Sequence, residues 1–124
     1  MTDLDTFLEH CIGCALWSST DESDDSGGAP MDDNYGPEDI APETLAKMRA
    51  DCEAFMTTPE WAEAYAAGLW DLSLGGHDFW LTRNGHGAGF WDRGHGAIGD
   101  RLSAAAKAFG GVDLYVGDDG RIYA

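Results

Sequence analysis

The sequence predicts an α+β domain in which three N-terminal helices are followed by a β-hairpin, a helix and a second β-hairpin, the hairpins forming a small antiparallel sheet. Three features predict it. Apolar residues recur at three- and four-residue spacing through the first half, with capping residues ahead of them. An Asn84-Gly85 pair interrupts an aromatic run, and Gly117-Asp118-Asp119-Gly120 separates two short apolar segments. The 124 residues fit one domain, 1–124, and 44% hydrophobic content is enough core to fold without disulfides or metal.

Taken in order, Leu4, Phe7, Leu8, Cys11, Ile12, Ala15 and Leu16 mark an amphipathic helix over 3–17, with Thr2 and Asp5 as its capping box. Residues 18–41 are polar and rich in turn formers, and so long a connection either carries function or is mobile. Pro42 opens a second helix with Leu45, Met48, Cys52, Phe55 and Met56 on one face and Asp51 elsewhere. Thr58-Pro59-Glu60 starts a third, carrying Trp61 and Tyr65 and ending near Gly68.

Residues 77–82 and 88–92 read as strands joined at Asn84-Gly85, which sets Phe79 opposite Phe90 and leaves Trp80 and Trp91 on the other face. Residues 97–109 are Ala-rich and helical in spacing, with Gly110-Gly111 as the stop. In the last hairpin a three-residue loop places Leu114, Val116 and Ile122 on one face and pairs Tyr115 with Tyr123.

Charge is the dominant compositional fact. The formal net charge is −16, and residues 1–63 hold 16 acids against 2 Lys and Arg. Asp21, Glu22, Asp24, Asp25, Asp32, Asp33, Glu38, Asp39 and Glu43 fall in a stretch, 18–43, that has no Lys or Arg. A domain of this length is about 35 Å across, and duplex DNA carries about 20 charges over that distance. The density is thus DNA-like. Such a field repels nucleic acid and anionic membranes and draws basic proteins in.

The N-terminus has neither the basic start nor the apolar stretch of a signal peptide, and no apolar run is long enough to span a bilayer. Three cysteines, an odd number, argue against a secreted disulfide framework, so a cytoplasmic protein is expected.

Catalytic motifs are missing: there is no nucleophile elbow, phosphate-binding loop or dinucleotide fingerprint. Cys11-Ile12-Gly13-Cys14 is a C-x-x-C, but it follows no strand and has no second ligand pair, so core packing is the expected role. His77, His86 and His95 lie in a Gly-rich region and could bind a metal ion, although no metal-binding spacing accompanies them. Neither cofactor nor catalytic residue is assigned, and the expected role is non-enzymatic.

At 77–93, His-Asp-Phe-Trp-Leu-Thr-Arg-Asn-Gly-His-Gly-Ala-Gly-Phe-Trp-Asp-Arg, and again at 112–120, the chain resembles small acidic proteins encoded by bacteriophages and other mobile elements. Cys14-Ala-Leu-Trp-Ser-Ser and Asp33-Asn-Tyr-Gly-Pro share the resemblance. It implies a setting in which anti-restriction and anti-CRISPR proteins occur, several of them DNA mimics, and it carries over no functional residue.

The leading expectation is therefore an inhibitor that binds a basic, nucleic-acid-binding host defence protein, such as a CRISPR effector or restriction enzyme. The nine acids of 18–43 and Asp51 of the following helix would make the contact, with no nucleic acid or membrane bound directly. Two alternatives stand beside it. One is an interaction module using the aromatic sheet face of Trp80, Trp91, Tyr115 and Tyr123; the other is a small metal protein or enzyme around the three histidines.

Overall fold

The computed structural model describes residues 1–22 and 28–124. Among them the chain is mostly helical. Five α-helices, α1 (Asp3–Ser18), α2 (Pro42–Met56), α3 (Pro59–Ala66), α4 (Leu72–Arg83) and α5 (Ala97–Lys107), are accompanied by two hairpins of two-residue strands. Strands β1 (Thr20–Asp21) and β2 (Ala29–Pro30) follow α1, and β3 (Tyr115–Val116) and β4 (Ile122–Tyr123) lie at the C-terminal end. The mixed architecture of three helices preceding a sheet of two joined hairpins is overturned.

The first three helices form where capping and periodicity place them. Thr2 Oγ1 accepts from the Asp5 nitrogen at 3.1 Å while Asp5 Oδ2 accepts from the Thr2 nitrogen at 3.0 Å, so the capping box is complete. Pro42 occupies the first turn of α2, and Thr58 caps α3 by accepting from the Trp61 nitrogen. The C-terminal register is also as expected, with Tyr115 opposite Tyr123 and Val116 opposite Ile122.

The expected hairpin at 77–92 is instead the second half of α4, a glycine-rich loop and a 3-10 turn, Phe90–Asp92. Two sequence signals were ambiguous. Asn84-Gly85 serves a helix stop as well as it serves a hairpin: Asn84 Nδ2 donates to the Trp80 carbonyl, and Gly85, at φ 71°, leaves the helix in the left-handed region. The run from Asp78 to Arg83 is buried continuously, so α4 has no polar face to reveal a helical period. Phe79 and Phe90 do meet the same core, stacked on Phe55 at 4.5 and 5.5 Å, but from a helix and a turn rather than from paired strands.

Helices α1 and α4 run side by side in the same direction. His10 pairs with Ser73, Phe7 and Cys11 lie against Gly76, and Trp80 Nε1 donates to Ser18 Oγ at 3.1 Å. Gly75 and Gly76 permit this approach. A Cβ on Gly76 would overlap the Phe7 carbonyl oxygen and lie 3.0 Å from the Cys11 nitrogen, and one on Gly75 would enter the Trp61 ring. The core that results is aromatic, built on Phe7, Phe55, Trp61, Trp70, Phe79 and Phe90.

Two ion pairs, each built on a buried acid, brace it. Arg83, whose side chain is 2% exposed, meets Asp51 at 2.9 Å, donates to the Gly110 and Phe109 carbonyls, and lies over the Phe79 and Phe109 rings. Asp78, fully buried, accepts from Trp70 Nε1 at 3.0 Å and from Arg93 in a two-point contact at 2.6 and 3.0 Å. Thr82 Oγ1 accepts from the Phe90 nitrogen. Residues 77–93 are thus largely occupied in holding the fold together, through one another and through Asp51, Phe55 and Trp70.

Candidate interaction surface

Which carboxylates face solvent decides whether the acidic surplus can act on another molecule. Among the ten acids singled out from the sequence, Glu22, Asp32, Asp33, Glu38 and Glu43 are exposed. Asp39 is half-buried and accepts from the Gly36 nitrogen at 2.8 Å, which stiffens the 3-10 turn Pro37–Asp39. Asp21 is buried within β1. Asp51 faces inward between Lys47 and Arg83, so the outward face assigned to it is not the one it takes. Asp24 and Asp25 lie outside the described residues.

The segment 28–41, read as part of a loop, is held down at intervals. Met31, Ile40 and Ala41 are buried, the Met31 nitrogen donates to the Ser19 carbonyl, and the Ala41 nitrogen donates to the Ile122 carbonyl. These anchors lay the 3-10 turns Met31–Asp33 and Pro37–Asp39 over the helices with Asp32, Asp33 and Glu38 outward. Pro37 shares a hollow with Glu9, so acids of α1 join those of the loop. Asp3, Glu9 and Glu53 are exposed as well and were not singled out. The signal was available, since each lies off the apolar stripe of its helix.

Cations do little to offset this surface. Among the described residues, Lys47, Arg49, Arg83, Arg93 and Arg101 are all committed to ion pairs, and those pairs use only Asp5, Asp51, Asp78 and Glu63. Five of the seven Lys and Arg are spent against four of the 23 acids, two of them buried inside the fold. On the surface the Arg49 guanidinium and the Thr2 backbone donor hold the Asp5 carboxyl down to about 2, the backbone bond being the larger cause. Asp119 is lowered by the Tyr123 hydroxyl, which donates to it at 2.6 Å.

At the shared C-terminal ends of α1 and α4 lies an open cleft of about 510 Å³, with Glu22 and Asp113 on its walls beside His86, Asn84, Trp80 and Tyr115. It links Glu22, just after β1, to the C-terminal hairpin.

The aromatic sheet face does not exist as expected. Trp80 is buried in α4, Trp91 is 48% exposed on the turn Phe90–Asp92, and only Tyr115 and Tyr123 remain together, their rings 5.9 Å apart. The histidines are likewise separated. His77 lies against the Trp17 ring, His95 against the Trp70 ring and His86 is exposed in the cleft. Among the described residues no three His, Cys, Asp or Glu side chains are grouped to hold a metal ion.

Cys11 and Cys14 are buried on α1 and Cys52 on α2. A hydrogen bond with the Cys52 thiol, reinforced by burial, holds the Cys11 thiol well above the ordinary range. Burial, with the nearby Asp78 charge, pushes Cys14 up to about 12. Protonated, enclosed thiols are poor nucleophiles and poor ligands. Among the described residues no helix is long and apolar enough to cross a membrane.

Comparison with protein-family models, curated proteins and solved structures finds no match to the chain.

Proposed function

We propose that the chain is a non-catalytic inhibitor, of phage or mobile-element type, that occupies the nucleic-acid site of a basic host defence protein such as a CRISPR effector or restriction enzyme. The observation that carries the reading is the commitment of five of seven cations to internal and local ion pairs, while Glu22, Asp32, Asp33, Glu38 and Glu43 stand exposed. Asp32, Asp33 and Glu38, held on short anchored turns, present fixed negative charge, as a phosphate backbone does, and charge of this kind governs encounter rate and partner choice. Its site is cytoplasmic, where such defence proteins act.

The test is capture and displacement. Immobilised protein is exposed to bacterial lysate at low salt, and each captured protein is then assayed for duplex binding with and without the chain. Retention of nucleic-acid-binding proteins that release their duplex as the chain is added supports the reading. Captured proteins that keep their duplex at saturating chain contradict it.

A further inference from the structure

Helix α1 carries a glycine in its middle for which the fold has no use. Gly13 is exposed, and a Cβ built on it would meet nothing within 4 Å. Glycine weakens a helix interior, and Gly75 and Gly76 have the packing reason that Gly13 lacks. What Gly13 does provide is bare backbone at the surface. It lines a hollow of about 500 Å³ that shares Glu9 and Pro37 as walls with a second hollow of about 270 Å³. The first is lined by Gly13, Cys14, Trp17 and His77, and the second by Leu8 and Ile12. Trp17, 60% exposed, stands at one end of this groove. A large aromatic beside a shallow apolar floor is the composition of an interface anchor, not of a solvated helix face.

Charge selects the occupant. Glu9 is exposed on the shared wall, makes no ion pair among the described residues, and has Asp3 on the same helix and Glu38 beside Pro37. A second copy of a chain of net charge −16 is repelled, as are nucleic acid and anionic lipid. We infer that the groove docks an amphipathic segment of a basic protein, its apolar side chains seated beside Gly13 and Trp17 and a Lys or Arg meeting Glu9. This rests on the basic-partner reading above and adds to it the short-range contact that long-range charge does not supply.

The probe is a helix-forming Leu/Lys peptide, compared with the same peptide in which every Leu is Ser, each titrated into isotopically labelled protein and followed by NMR. The Leu/Lys peptide is expected to bind about tenfold tighter or better, to shift the Gly13 amide and Trp17 indole resonances, and to keep its preference in about 0.5 M salt, where the Debye length is only a few ångströms. Gly13→Leu, with its fold checked by circular dichroism, is expected to abolish the preference, and Trp17→Ala to reduce it. Equal affinities, shifts confined to Asp32, Asp33 and Glu43, or an unchanged preference in Gly13→Leu would each overturn the groove. If Gly13→Leu and Trp17→Ala displace duplex from the host protein as well as the parent does, the groove falls and the charge reading stands. If the peptide maps to the groove while the parent displaces nothing, the charge reading falls and the groove stands.

Discussion

Replacing Gly76 by alanine tests the packing on which the helical half of the molecule depends. The added methyl meets backbone, the Phe7 carbonyl and the Cys11 nitrogen of α1, so no side-chain rotation relieves it and α1 must move bodily away from α4. Such a movement loosens Phe7, Cys11 and Ala15, all essentially buried. Overpacking of a rigid site costs about 3 kcal/mol, from which alanine's better helix propensity returns about 1 kcal/mol. The net is about 2 kcal/mol, and at about 4 °C per kcal/mol for a chain of this length the midpoint falls by about 8 °C. Gly13→Ala, in the same helix pair but with open space around it, is the control and should melt about 2–4 °C higher than the parent. Thermal melts by circular dichroism read both. A Gly76→Ala protein within about 2 °C of the parent would refute the close α1–α4 approach.

Three further outcomes follow from the same structure. Arg93→Ala strands the fully buried Asp78 with Trp70 as its remaining donor, and denaturant melts should show a loss of about 3 kcal/mol, the usual result of breaking one side of a buried pair. Cys11, Cys14 and Cys52 should resist a thiol reagent at pH 8 in the native protein and react together on unfolding, whereas fast labelling of Cys14 in the folded state would contradict its placement. Asp5 has a folded pKa of about 2 against an ordinary 3.8, so its stabilising effect on α1 is full above about pH 4 and is lost as pH falls through about 2. NMR titration should show this low midpoint, with Arg49→Ala moving it upward.

How far the fold was legible depended on whether each helix kept a polar face. Helix α1, with Thr2 and Asp5 at its start and a clear apolar stripe, could be read almost to the residue. Helix α4 could not, because Asp78, Thr82 and Arg83 are as buried as Phe79 and Leu81 and the period disappears. The Asn84-Gly85 stop then completed a false hairpin. Of the surface, the surplus of acid was plain from counting, but not which acids would turn inward. Asp51 and Asp78 turn inward to meet arginines that lie 32 and 15 residues further along the chain, the buried Arg83 and the more exposed Arg93, and such pairings have no local signature. The groove along Gly13 was invisible for a related reason: its other wall, Pro37, comes from a segment whose path only the fold determines.

The most direct test of the proposed acidic interface is the rate at which the chain associates with a nucleic-acid-binding protein captured from lysate, measured over a range of salt. The comparison is the parent against a variant in which Glu22, Asp32, Asp33, Glu38 and Glu43 are replaced by Gln or Asn. Those five side chains are exposed, so the fold should survive their neutralisation. The rate is expected to fall about tenfold or more at low salt, with a shallower salt dependence in the variant, as steering by charge requires. Equal rates and parallel salt dependences in the two proteins would contradict the account.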